Sequence, residues 1–473
     1  MARRSEASIR EVEAPGGRRD IFESVSPVDF RYWDPRIAGE LSENAFNWHK
    51  LDVEFALIQA LVARGNCPPE AISAVERAIK EIQTGMVYEE ERRIKHDIRA
   101  LVNLIRERVP NEIKPYIHMT ATSYDIVDTA NAARYRDAIQ EVFVPELKKF
   151  LGILIKIAIR EADTIQIVRT HGQHAVPITF GFAMAGYVSR LGQSINALIA
   201  LSSELRGKFS GAVGAYNASS LFFEDPEEFE KDVLKELNLL PAECSTQIVP
   251  PEPVIRLYME LVITAGILAN LADDMRNLQR TEIGEIGEEF ELDQVGSSTM
   301  PQKRNPINFE NVKSQWKVVM PRIITVLLDQ ISEHQRDLTN SASSRTYGEL
   351  IAYVYEMAKR MTRTMAKMRV DRDALQKNFS IQQDLIIAEP LYIILARLGH
   401  PDAHEKVRQL TLKAQRDKKS LSEIVSDDPE MAEWMKKMVG RQKAIIADPT
   451  LYVGIAAKKA RTVAEQWQRV FSL

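Results

Sequence analysis

Cysteine is scarce: the 473 residues contain two, Cys67 and Cys244, far apart and without Cys-x-x-Cys spacing. That argues against a disulfide framework and a cysteine zinc site, and it fits a reducing compartment. An excess of one charge is also lacking. Lys and Arg number 62 against 66 Asp and Glu, a formal net charge of -4. No tract of basic residues with interleaved aromatics follows a phosphate backbone, so nucleic acid is not an expected partner. Long apolar runs are missing too. The longest, Leu261 to Ala272, is bounded by Glu260 and Asp273 and reads as a buried core helix rather than a membrane span. Residues 1–25 carry charge and glycine without the apolar stretch of a secretory signal, so they read as a flexible tail. A cytoplasmic protein with no membrane partner, metal or cofactor is expected.

What is present is helical periodicity. With 45% hydrophobic residues, the chain can bury a large core, and at this length several domains or one long helical body are expected. Apolar residues recur at helical spacing from Asn44 to Ala63 and from Pro69 to Thr84, with Gly65 and Pro68-Pro69 between them. Val142–Glu161 and Ile178–Leu205 repeat the pattern. Asp225 reads as an N-cap ahead of Pro226. Val254, Leu257, Leu261, Leu268, Leu271, Met275 and Leu278 mark a near-heptad stripe interrupted only by Thr264, the sign of a bundle helix. Further long helices are expected from about Ile307 to His334, kinked at Pro321, and from Leu350 to Met368. Near residue 370 the pattern shortens. The reading is all-α in three helical domains after the tail: 26–118, a central long-helix bundle over 119–369, and 370–473.

Two stretches between these helices are too polar for packing alone. Gly296-Ser297-Ser298-Thr299-Met300-Pro301-Gln302-Lys303-Arg304-Asn305-Pro306 combines helix breakers with hydroxyls, a lysine and an amide, and reads as a mobile active-site loop. Arg169-Thr170-His171-Gly172-Gln173-His174 leaves a polar cluster at a helix break. Elsewhere Lys95-His96-Asp97 opens an apolar-periodic run. Thr122-Ser123 precedes a helix, where hydroxyls and free N–H groups form a carboxylate cradle or where Ser123 serves as a cap. Gly207–Gly214 is glycine-rich but lacks the spacing of a nucleoside-triphosphate loop and reads as a tight connection.

The loop 296–306 resembles, position for position, the G-S-S-x-M-P-x-K-x-N-P signature of the fumarase/aspartase superfamily, whose members eliminate fumarate from succinyl-bearing substrates. That resemblance implies a fumarase/aspartase-like fold with Ser297 as general base and Ser298, Met300, Lys303 and Asn305 around the substrate carboxylates. It also implies His171 as general acid beside Thr170, with Glu310 orienting it. Arg31-Tyr32, Lys95-His96-Asp97, Thr122-Ser123, Gln247 after Thr246, and the run from Arg336 through Ser341 to Arg345 are similar to the adenylosuccinate lyase branch. There such residues surround a nucleotide monophosphate, and Ser341, Arg345 and the Arg-Tyr pair hold its phosphate. The resemblance covers roughly residues 26–455. It implies a nucleotide substrate and a homotetramer with active sites shared among chains. A carboxymuconate cycloisomerase on the same scaffold is the alternative enzyme, and a catalytically silent relative the alternative of another class. Two positions depart from the branch: Thr120 stands where a glycine is common, and Pro250-Pro251-Glu252-Pro253 where a charged pair is common.

Overall fold

In a computed structural model of the protein, the structure describes residues 21–290 and 297–473. Gly296, the first residue of the signature loop, and residues 1–20 of the tail lie outside them. The described chain is predominantly helical. Its strands are short and occur in three two-stranded pairs.

The first helices are α1 (Pro35–Leu41), α2 (Glu43–Ala63), α3 (Glu70–Glu81), α4 (Thr84–Ile94), α5 (Asp97–Arg108) and α6 (Ser123–Asp137). A π-helical turn, Ala138–Phe143, leads without a break into α7 (Val144–Arg160). Strands β1 (Ile165–Thr170) and β2 (Gln173–Thr179) follow, then α8 (Phe180–Ser203), β3 (Arg206–Gly207), α9 (Pro226–Lys235), β4 (Leu240–Pro241) and α10 (Glu252–Leu278). After β5 (Ile286–Gly287) come α11 (Ile307–Leu328), α12 (Tyr347–Lys367) and β6 (Arg369–Val370). Eight helices complete the chain, from α13 (Arg372–Ser380) to α20 (Ala456–Phe471).

Contacts divide the chain into two compact units. Unit one comprises residues 1–146, 194–266 and 315–358, and unit two residues 147–193, 267–314 and 359–473. The 119–369 segment therefore contributes to both, and 370–473 falls whole in unit two.

In unit one, α2 is buried along most of its length and packs its Val53, Leu57 and Leu61 with apolar residues of α3, α5 and α6. Periodicity explains these helices, and short polar side chains end them: Ser42 caps α2 at 3.2 Å, and Asp225 caps α9 at 3.0 Å with Pro226 in the first turn. Helix α10 is longer and more apolar than the 261–272 run suggested, enough by length and composition to cross a membrane. Half of its apolar window is buried inside the protein. Within unit one its Thr264 hydroxyl meets Ser194 at 2.7 Å, and its Tyr258 packs against Tyr135 and Tyr347, so it is a core helix.

In unit two the helices from residue 387 to 446 enclose a core of their own around Leu391, Leu395, Leu421 and Met431. Helix α11 starts in unit two and continues in unit one, where it passes through Pro321 and ends at Leu328, short of His334, at the start of a polar loop.

Candidate active site

The segment expected as a polar helix break is a β-hairpin. Strands β1 and β2 pair antiparallel, with Thr170 opposite Gln173, and the two-residue turn is His171-Gly172. Both turn residues have positive φ, 53° and 75°, the pattern of the turn that suits strand twist. β-Branched residues at four of the six positions of Ile165–Thr170 are the signal for the strand, although a run this short between two helices is ambiguous by period alone. His171 sits exposed at the tip.

A two-stranded hairpin is marginal by itself, and this one is fastened at two levels. At its base, buried Glu161 accepts from Thr164 Oγ1 and Arg160 Nε at 2.7 Å and from Arg372 at 3.1 Å. Burial alone would raise that carboxyl, but these hydrogen bonds outweigh it and hold it below the usual range. At mid-height, fully buried Glu285 accepts from Gln166 at 2.8 Å and from Arg169 at 2.7 Å, both on β1, and from Asn378 at 2.9 Å. His174 has its Nδ1 buried without a partner, and burial together with Arg169 lowers its pKa. It is not suited to carry charge here.

The described part of the signature loop, Ser297 to Pro306, lies in unit two as well. Ser297 Oγ accepts from the backbone N–H groups of Thr299 at 3.3 Å and Met300 at 3.1 Å. Ser298, Met300 and Lys303 are exposed, and Asn305 is half-buried. Lys303 N donates to Met300 O at 3.0 Å, closing a turn. Helix α11 follows, its free N-terminal amides taken by buried Glu288, which accepts from Asn308 N at 3.1 Å, Phe309 N at 3.0 Å and Asn308 Nδ2 at 2.8 Å. Glu310, in the first turn, is exposed. Among the described residues of this single chain, no hydrogen bond or ion pair joins Glu310 to His171.

The remaining candidates belong to unit one. Arg31 and Tyr32 follow a 3-10 turn, their amides donating to Pro27 O at 2.9 Å, and the Tyr32 ring meets Tyr353 at 5.9 Å. Lys95 ends α4 in a left-handed conformation, φ 61°. His96 is the N-cap of α5, its Nδ1 accepting from Arg99 N at 3.2 Å. Asp97 begins the helix. Thr122 is the N-cap of α6 and Ser123 its first residue; the Asp125 carboxylate accepts from Thr122 N at 2.7 Å. Gln247 lies in a loop docked on the 207–214 connection, where Ser210 and Ser245 hydroxyls meet at 2.7 Å and a Cβ on Gly214 would lie 2.0 Å from Ser245 O.

Two of these sequence-distant groups are brought together. Arg336 stacks its guanidinium 4.0 Å from the ring centroid of Tyr124, the neighbour of Ser123, and donates to the Tyr124 hydroxyl. Its Nε is buried without a partner, and burial lowers its pKa; such a donor suits an incoming anion. Arg345, exposed on a 3-10 turn, and Asp97 both lie within electrostatic reach of Lys50. Ser341 is exposed in the same loop, which Asp329 anchors through Ser343 at 2.7 Å and Tyr347 at 2.8 Å.

Sequence reasoning missed several buried charges. Lys50 is 5% exposed, and burial lowers its pKa. Lys208, fully buried, donates to Asp125 and to Gly211 O at 3.0 Å. His118 meets buried Glu54 at 2.6 Å. The Lys208–Asp125 and His118–Glu54 pairings join residues 83 and 64 apart, and no local pattern announces them. Glu40, His49 and Asp137, all buried, also place ligand atoms within 4.8 Å of one another, a set able to hold a cation. In the structure His49 pairs with Glu40 at 3.4 Å and Arg136 with Asp137 at 2.9 Å.

Residues 20–320 match the family described as "Lyase", and residues 332–443 match "Adenylosuccinate lyase C-terminal". The adenylosuccinate lyase of Pyrococcus horikoshii is 36% identical over 448 residues, 93% of this chain and 98% of that protein. The chain belongs to the adenylosuccinate lyase family. It is therefore an enzyme, a lyase. The adenylosuccinate lyase of Archaeoglobus fulgidus is 33% identical over 93% of this chain and 98% of its own. Among solved structures, the 3-carboxy-cis,cis-muconate lactonizing enzyme of Pseudomonas putida superposes with a TM-score of 0.81 at 26% identity, over 94% of this chain and 99% of that one. A fumarate lyase from Mesorhizobium sp. BNC1 shares the fold at 0.80 and 23%, over 92% and 98%. The all-α, fumarase/aspartase-like architecture read from the sequence is the one observed.

Proposed function

We propose that the protein cleaves adenylosuccinate to AMP and fumarate, and the succinylated carboxamide ribotide of purine synthesis in the same way. The observation that carries this reading in the structure is the setting of Ser297. A serine is a weak base at its ordinary pKa, and it serves only if its alkoxide is stabilised. Two backbone N–H groups already aimed at Oγ, with Lys303 six residues on, supply that kind of stabilisation.

In the proposed reaction Ser297 takes a proton from the succinyl CH₂ next to its carboxylate. Negative charge builds on that carboxylate, held by Ser298, Lys303 and Asn305, with Met300 and Thr170 lining the site. As the carbon–carbon double bond forms, the neighbouring C–N bond breaks and its electron pair leaves with nitrogen. His171 hands that nitrogen a proton, and Glu310 favours the imidazolium. Arg31, Tyr32, Ser341 and Arg345 take the phosphate. Lys95, His96, Asp97, Thr122, Ser123, Gln247 and Arg336 surround the nucleotide. Arg336, with its unsatisfied donor, and the 36% identical relative favour this substrate over that of a cycloisomerase.

The working form is a homotetramer in the cytoplasm, with each site drawn from several chains. An apolar stripe on α11, Met320, Ile324, Leu327 and Leu328, is exposed in the single chain, as an assembly helix requires. The test is Ser297→Ala and His171→Ala in separate proteins. Each should lose turnover by at least about 10²-fold with the oligomer unchanged; near-normal turnover in either removes that residue from its role.

A further inference from the structure

The reaction assigned to Ser297 and His171 requires that two separate pieces of chain keep a fixed geometry, and a four-residue segment touches both. Glu285 through Glu288 follows α10 in unit two. Glu285 is fully buried, with one carboxylate oxygen accepting from Arg169 and Asn378 and the other from Gln166. Arg169 lies two residues before His171 on the hairpin. At the other end, Glu288 accepts the first free amides of α11, next to the signature loop. Glu288 N also donates at 3.0 Å to Gln279 Oε1, and Gln279 Nε2 donates at 3.3 Å to Arg304 O inside the loop.

The segment itself is held from both sides. Glu285 N donates to Leu278 O at 3.0 Å, Asp371 N donates to Glu285 O at 2.9 Å, and Ile286-Gly287 pair with Arg369-Val370. Three residues of extended chain span at most about 10 Å. Two buried carboxylates that close together are a poor choice for stability alone, since burying charge rarely gives net stabilisation. Directional hydrogen bonds on both oxygens do fix orientation.

We propose that Glu285 and Glu288 are positioning residues, Glu285 for the acid-bearing hairpin and Glu288 for the base-bearing loop. The inference rests on the proposed roles of His171 and Ser297. In Glu285→Gln the new amide faces donors, so one tether to the hairpin is lost. In Glu288→Gln it faces backbone N–H groups. A misplacement of about 1 Å costs on the order of 10²-fold in rate, so both variants should lower kcat by about that factor while KM and inhibition by AMP stay near wild type.

Isotope effects separate the two roles from mere unfolding. The substrate is adenylosuccinate deuterated at the succinyl CH₂. In Glu288→Gln proton abstraction becomes slower, and the primary isotope effect on kcat should rise. In Glu285→Gln proton donation becomes slower, so that effect should fall toward one and the solvent isotope effect should rise. A purely structural role would lower the amount of active enzyme and leave every isotope effect where it is, which would overturn the proposal. Should either variant fail to fold, Gln166→Met and Gln279→Met remove one tether each and must shift the isotope effects in the same respective directions; no shift there also overturns it. Wild-type protein that releases no fumarate from adenylosuccinate would overturn the functional reading and this inference with it, whereas active wild type with unmoved variants overturns the inference alone.

Discussion

Thr120 occupies a left-handed backbone conformation, φ 66°, with its hydroxyl buried and unpartnered. The sequence departure from a common glycine is thus a departure toward strain, because a β-branched residue meets its own carbonyl there. Thr120→Gly should stabilise the protein by about 1 kcal/mol, the relief of left-handed strain less the added freedom of glycine in the unfolded chain, read as a higher midpoint in urea. One turn away, His118 is coupled to Glu54. Burial alone would lower its pKa, but the Glu54 carboxylate outweighs burial and raises it. A raised folded-state value means that the imidazolium favours the fold. That contribution is complete below about pH 6.5 and is lost as pH rises through the folded value. Glu54→Gln should therefore destabilise most in mildly acid buffer, with the gap to wild type shrinking under alkaline conditions. A gap that is flat across pH would contradict the coupling.

At the scale of elements, the helices were legible wherever apolar residues recurred at helical spacing, and the Asp225-Pro226 start of α9 was legible to the residue. The signature loop was legible because its composition suits no packing role. The hairpin was not, although its turn residues were singled out: a six-residue strand between long helices has too short a period to declare itself, and the carboxylate that fastens it, Glu285, lies 116 residues from Arg169. His96 and Thr122 illustrate a different limit. Both emerge as helix caps, and the cap engages only one ring nitrogen of His96, Nδ1, so the structural and the proposed binding uses are compatible. The hairpin also depends on close approach of α7 and α8 at its base, where a Cβ on Gly181 would lie 2.4 Å from Ala158 O. Gly181→Ala should cost about 1–3 kcal/mol by overpacking, measured by equilibrium denaturation, and should lower kcat through displacement of His171.

For the whole molecule, assembly and catalysis are linked in the proposed account. The α11 stripe leaves Ile324 58% exposed and Met320 46% exposed in the single chain, and among the described residues no hydrogen bond or ion pair joins Glu310 to His171 within it. Met320→Glu combined with Ile324→Glu should reduce the assembly to smaller species by light scattering and abolish turnover together with it. A variant that dissociates yet keeps full activity would separate the two.

In the proposed reaction a serine base and a histidine acid eliminate fumarate. The most direct measurement of it is product release from adenylosuccinate by the purified wild-type protein, with fumarate and AMP quantified together by NMR. The expected result is the two products in equal amounts, and neither from Ser297→Ala or His171→Ala on the same time scale. Folded, assembled wild-type protein that leaves adenylosuccinate intact, or variants that match its rate, would contradict it.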